Sequence, residues 1–484
     1  MAIAAEPTTT TSIERSLSPA DRTLIGLLVI STFVVIFNET VMSLALPRLM
    51  SDLNVSAATG QWLTTGFLLT MAVVIPATGF IMERFTVRQV FVAAMGLFST
   101  GTLIAAVAPG FAVLLVGRVV QAAGTGVMIP LLMTTAMSLV APSARGRIMG
   151  VISIVISVAP AIGPTVSGLV LSRLSWRWLF LVVLPIALLS LALGAWKVRN
   201  VTTPRRAHLD VLSLLLSAAG FGGLIYGLSS LGEGSGHASP WIPVLVGVVA
   251  LALFVRRQRA LQHGRGPLMD LRVFAHRSFT VSVLVMIAGF MSLFGALILL
   301  PIYLQSVHGM STLAAGLLVL PGGLAMGALS PIVGRLYDRF GPRPLVLPGT
   351  VVLSAALWLL ATAGPSTSTA LVVLFHVMLT SALALMLTPL MTSALAGLPP
   401  SRYGHGSAVI STLQQVAGAA GTALFVTVLS RTTASGLADG ADTVTATADG
   451  VQAAFVWGGV ISLAAVAASL LVRGAPDGGR VPVH

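Results

Sequence analysis

The chain reads as an all-α polytopic membrane protein of about fourteen transmembrane helices, two six-helix bundles with two extra helices between them. Three observations predict it. Charged residues make up 8% and hydrophobic ones 56% of the 484 residues, against roughly 25% and 45–50% in soluble proteins. Apolar runs long enough to cross a bilayer, about 20 residues each, recur from end to end. A short motif also returns after 334 − 79 = 255 residues. Gly79, Glu83, Arg84, Phe85 and Arg88 follow the second run, and Gly334, Asp338, Arg339, Phe340 and Arg343 follow the tenth in the same register. That distance is too long for six helices with short loops but suits eight, so an added pair separates two repeated halves.

By the length rule the spans fall near 23–46, 61–82, 88–108, 111–139, 147–171, 178–198, 210–230, 241–255, 279–305, 312–334, 343–363, 368–396, 405–430 and 451–472. The seventh and eighth are the extra pair. The chain then divides into a tail 1–22, a first half 23–198, an extra pair with linker 199–278, a second half 279–473 and a tail 474–484. Residues 1–20 and 474–484 have the composition of disordered ends. Residues 256–278 are expected as an amphipathic surface helix, and the Thr/Ala/Gly/Asp-rich stretch 432–450 as a polar loop.

The net charge of +13 would suggest nucleic acid if the arginines lay on one face of a domain. They cluster instead in alternate loops: Arg84 and Arg88, Arg145 and Arg147, Arg199 to Arg206, Arg256 to Arg277, then Arg339, Arg343 and Arg402. The other side holds Arg48, Arg173, Arg177 and Arg431. This positive-inside bias predicts both termini in the cytoplasm. There is no cysteine, which excludes disulfides and thiol chemistry. The first run is too long for a signal peptide and is preceded by Glu6, Glu14 and Asp21. No nucleotide-binding G-x-x-x-x-G-K-[ST] occurs, no cofactor is implied, and an enzyme is not expected.

Two charges fall inside apolar spans, Glu39 in the first and Arg118 in the fourth. A carboxylate in hydrocarbon is costly, roughly 2.5–3.5 kcal/mol on insertion scales, so such residues face a cavity or a partner. Glu39 lies about seven residues before the outer end of its span and Arg118 about seven after the outer start of its own. At ~1.5 Å per residue both sit at similar depth. His376 in the twelfth span is a third group that could titrate in a cavity.

These segments resemble the major facilitator superfamily. The repeated loops match its pattern G-x-x-x-D-R-x-G-R-[RK], with Glu83, Thr86 and Val87 departing from it in the first copy. The resemblance implies a latch in which Gly79, Glu83, Arg84, Gly334, Asp338 and Arg339 close the cytoplasmic side. In the fourth span, LLVGRVVQAAGTGVMIP is similar to R-x-x-Q-G-x-G, and Arg118, Gln121 and Thr125 share a face at i, i+3, i+7. In the fifth, Gly150, Gly163, Pro164 and Gly168 match the antiporter motif G-x8-G-x3-G-P-x2-G-G, with Ala159 and Ser167 in place of glycine. Gly150, Ser153, Ser157, Pro160, Pro164 and Gly168 also form a small-residue stripe at helical spacing, suited to close packing. The end of the first span, FNETVMSLALP, resembles the signature L-D-x-T-I-V-N-V-A-L-P of fourteen-helix drug:proton antiporters, with Asn38 at the aspartate and Glu39 beside it.

The resemblance implies proton-coupled efflux of lipophilic, cationic drugs across the plasma membrane by alternating access. A dedicated exporter of one metabolite or self-made antibiotic stands as the alternative, with a proton-coupled uptake symporter behind it. Expected proton-coupling residues are Glu39, Arg118 and His376. Expected substrate contacts are Asn38, Met42, Trp62, Gln121, Phe290 and Phe294. The partners implied are a small-molecule drug or metabolite, protons and the lipid bilayer, with no nucleic acid, and a monomer is expected.

Overall fold

The computed structural model describes residues 18–201, 204, 209–233, 241–262 and 266–472. These hold fourteen helices long and apolar enough to cross a membrane. The first half supplies α1 (Pro19–Asp52), α2 (Ala57–Arg84), α3 (Val87–Ala106), α4 (Phe111–Leu139), α5 (Arg145–Leu171) and α6 (Trp178–Lys197). Then come α7 (Val211–Glu233) and α8 (Trp241–Leu261). The second half supplies α9 (Arg277–Ser306), α10 (Thr312–Phe340), α11 (Arg343–Leu360), α12 (Thr369–Ala396), α13 (Tyr403–Ala438) and α14 (Thr443–Ser469). Of the expected tails 1–22 and 474–484, residues 1–17 and 474–484 lie outside the described residues, and residues 18–22 form the capped start of α1 rather than a disordered end.

Local chemistry sets the ends. Ser18 and Asp21 form a reciprocal capping box at the start of α1, and Thr86 with Gln89 does the same for α3. Ser56 caps α2 by accepting from Thr59 N–H. Two expectations need correction. The stretch 432–450 is no extended loop: α13 runs to Ala438, and Asp442 caps α14 by accepting from Val444 and Thr445 N–H. Segment 256–278 is not one amphipathic helix either. α8 continues to Leu261, Gly266 sits at φ +87, and a short 3-10 turn, Leu271–Ala275, is capped by Asp270. The first helix also extends 52 − 46 = 6 residues beyond its expected end.

Within the first half, α3 packs on α4 and α6, and α1 on α5; within the second, α11 packs on α12 and α14, and α13 on α9. The halves meet along two seams, α5 against α10 and α2 against α13, which the repeat makes equivalent. The extra pair packs on itself, and α7 lies across α2 and α13, covering one seam. Trp196, Leu245 and Trp241 are among the large apolar side chains left on the outer rim, as a lipid-facing surface requires.

Candidate functional site

Between the halves lies a cavity of about 180 Å³. Its wall from the first half includes Glu39 and Thr40 on α1, Met71 on α2, Thr125 and Ile129 on α4, and Ser157, Pro160 and Ala161 on α5. From the second half come Phe294 on α9, Val319 and Gly323 on α10, His376 and Thr380 on α12, and Ser411, Gln414 and Gln415 on α13. Glu39 is thus the one carboxylate lining this cavity, set in a wall that is otherwise apolar or neutral apart from His376. Among the described residues no ion pair joins it to Arg118.

Arg118 sits one layer behind. It is buried at 2% exposure, its guanidinium 4.0 Å from the centroid of the Phe67 ring. Nη1 donates to Gln121 Oε1 at 2.7 Å, and Gln121 Nε2 donates to Thr102 Oγ1 at 2.8 Å, tying α4 to α3. Its Nε is buried without a hydrogen-bond partner. Phe67 packs with the cavity-lining Met71 and Ile75, so the cation reaches the cavity through one aromatic layer.

Of the expected substrate contacts, Phe294 lines the cavity and the others lie off it. Asn38 is buried with both side-chain polar atoms unpartnered. Met42 belongs to a separate apolar cluster, and Phe290 to the main core. Gln121 is committed to Arg118. Trp62 is half exposed and stacks on Tyr226 of the extra pair, ring centroids 6.0 Å apart. His376 is buried in the cavity wall against Val319 and Gly322 of α10, its Nδ1 unpartnered. Gln414, Gln415 and Ser411 were not singled out by the sequence. The signal available was their i, i+3, i+4 spacing in a helix opposite an apolar stripe.

The motif residues gather at the end of the bundle where both motif loops lie. At one seam, Asp338 of α10 accepts from the N–H groups of Gly146 at 2.7 Å and Arg147 at 2.8 Å, capping α5 across the halves. Gly334 makes this possible, since a Cβ there would collide with the Gly146 carbonyl. At the equivalent seam, Glu83 of α2 pairs with His405 near the start of α13, Nε2 to Oε1 3.2 Å. Gly79 faces the same histidine, and a Cβ on it would meet Nδ1 at 2.5 Å. Arg84 ends α2, and Arg339 lies 5.0 Å from the Phe340 ring centroid.

The motif and stripe residues of α5 face both halves and the cavity. Gly150 abuts the Ser330 backbone of α10, Gly163 abuts Thr40 of α1, and Gly168 has Leu313 at its edge. Pro164 lies in α5; its side chain is outside the described residues. Between the cavity and the motif end, two hydroxyl pairs cross from half to half. Thr134 of α4 bonds Ser407 of α13 at 2.8 Å, and Thr388 of α12 bonds Ser153 of α5 at 2.9 Å. Both partners are related by one offset, 388 − 134 = 254 and 407 − 153 = 254, so this closure is itself duplicated.

Two repeated six-helix halves around a cavity, joined at one end by paired contacts, have the architecture of a membrane carrier. The model of the Major Facilitator Superfamily matches residues 28–422, and the chain belongs to that superfamily as one of its multi-pass transporters. A Listeria monocytogenes relative, lincomycin resistance protein LmrB, is 40% identical over 457 residues, covering 93% of this chain and 96% of the relative. The multidrug resistance protein B homolog of Mycobacterium tuberculosis is 32% identical over 413 residues, covering 84% and 75%. The fold matches the human organic anion transporter MFSD10 with a TM-score of 0.67 over 94% of this chain and all of that one, at 16% identity.

Proposed function

We propose that this chain exports lipophilic, cationic drugs across the plasma membrane in exchange for protons. The observation that carries the reading is Glu39, a carboxylate in the wall of a central, mainly apolar cavity. Such a group can hold a proton or face a cationic drug, and the competition between the two is what antiport needs. Relatives named for lincomycin and multidrug resistance support drugs as the cargo.

On this reading the bodies that rock are residues 23–198 and 279–473, and both termini are cytoplasmic by the arginine bias. The sealed motif end is then the cytoplasmic end, and the cavity belongs to the outward-facing side of the cycle. Arg118 tunes Glu39 from behind Phe67, and His376 is the second titratable group of the cavity wall. The potential supplies ~2.3 kcal/mol per charge per 100 mV. The lincomycin-named relatives also favour a narrower exporter of one compound class. Inside-out vesicles with an imposed proton gradient test the proposal. Accumulation of ethidium or lincomycin that collapses on adding a protonophore is expected. Accumulation indifferent to the gradient contradicts proton coupling, and accumulation of lincomycin alone favours the narrower exporter.

A further inference from the structure

The two halves do not line the cavity alike. The offset of 254 that relates the hydroxyl pairs places α5 and α13 in equivalent positions, so 160 + 254 = 414 and 161 + 254 = 415. At these equivalent places the first half presents Pro160 and Ala161, and the second presents Gln414 and Gln415; all four line the cavity. The fold therefore closes one seam with no amide at this level. The two amides on the other seam do not hold helices together either. Gln414 has no hydrogen-bond partner among the described residues, and Gln415 Nε2 reaches only the Met71 sulfur, at 3.6 Å, a weak acceptor. Gln121, by contrast, spends its amide on Arg118 and Thr102. One turn before the pair, Ser411 Oγ is buried and unpartnered in the same wall. Its equivalent, Ser157 (411 − 254), donates to the Ser153 carbonyl at 2.7 Å.

Amides and a hydroxyl that face a cavity and are not spent on protein partners are bonded by water, and are free to bond a substrate group that displaces it. A primary amide both donates and accepts, so it suits amide and hydroxyl groups and gives a bare hydrocarbon cation nothing. Glu39, from the other half, attracts a basic amine. We propose that Gln414 and Gln415, with Ser411, are the specificity-determining residues of this cavity. They select amine-bearing lipophiles that also carry neutral amide or hydroxyl groups. The proposal deepens the efflux reading and rests on it for the cavity being the substrate site.

Equilibrium binding to purified, detergent-solubilised protein tests it with two probes. Lincomycin carries an amine, an amide and several hydroxyls; tetraphenylphosphonium is a lipophilic cation with no hydrogen-bonding group. In the double variant Gln414→Leu/Gln415→Leu, lincomycin affinity is expected to fall at least tenfold more than tetraphenylphosphonium affinity. Parallel losses, or no loss for either probe, overturn the assignment. If the double variant does not fold, Gln414→Ala and Gln415→Ala are measured singly, with at least a threefold selective loss for lincomycin required in one of them. Because the readout is binding, vesicles that fail to export would sink the efflux reading while leaving a selective loss intact. Wild-type protein that binds neither probe at millimolar concentration overturns both.

Discussion

Arg118 is a buried cation held by a single side-chain acceptor and an aromatic face. Hydrogen bonds to charged groups contribute about 1.5–3 kcal/mol, and removing the neutral acceptor leaves a donor of a buried cation unsatisfied. Gln121→Leu is therefore expected to lower stability by about that much in thermal unfolding, and a change below about 0.5 kcal/mol would contradict the arrangement. Asp270 gives a pH-dependent case outside the membrane. Burial pushes its carboxyl up, but the side-chain and backbone hydrogen bonds from Arg272, with its charge, outweigh burial and hold it below the ordinary value. The folded value lies under the unfolded one of ~3.9, so its stabilisation is present above that pH and lost as pH falls through the folded value. The stability gap between wild type and Asp270→Asn should be steady from pH 7 to about 5 and close below about 4; a gap that stays constant at pH 3 would contradict it. Glu39 and His376 were legible in the sequence because an ionisable residue in an apolar span stands out, whereas nothing marked Phe294 off from Phe290, four residues earlier on the same helix, which lies in the core. His405 and Gln414 were not, because what marks them lies across the interface: Glu83 of the first half faces His405, and the cavity between the halves faces Gln414.

At the scale of elements, the two seams carry equivalent contacts made by different chemistry. Asp338 caps α5 through backbone N–H groups, whereas Glu83 meets a side chain, His405. An N-cap acceptor is typically worth 0.5–2 kcal/mol, so Asp338→Ala should weaken the α5–α10 seam by about that much. The crossed hydroxyl pairs allow a direct test, since the chain has no cysteine of its own. Thr134→Cys with Ser407→Cys, and Ser153→Cys with Thr388→Cys, should each cross-link on mild oxidation, stop transport, and recover with reductant. Transport that continues with the cross-link formed would show that these contacts do not open during the cycle. The helices themselves were legible from apolar length, including the extra pair from the 255-residue repeat. Their ends at 432–450 were not, because Thr, Ala and Asp there are compatible with helix once Asp442 supplies a cap. In the linker α8 stops at Leu261, Gly266 takes a positive φ before Pro267, and Asp270 binds both Arg272 and Arg402, where the sequence alone suggested one amphipathic helix.

At the scale of the whole molecule, the repeat that builds the fold also builds its closure, while the cavity between the halves is asymmetric. The sealing contacts come in related pairs. The groups that would meet a proton or a drug do not: the carboxylate is on α1, the imidazole on α12 and the amides on α13. The extra pair lies over the α2–α13 seam and leaves the α5–α10 seam to direct helix packing. On the proposed reading the cavity carboxylate, Glu39, is the shared site of cargo and protons. Drug-driven proton release from inside-out vesicles, compared between the intact protein and Glu39→Gln, measures this directly. A cationic drug is expected to move protons in the parent, and the substitution to abolish the movement. Proton movement that survives Glu39→Gln would place the coupling site elsewhere, with His376 the next group to test, and would contradict the central claim.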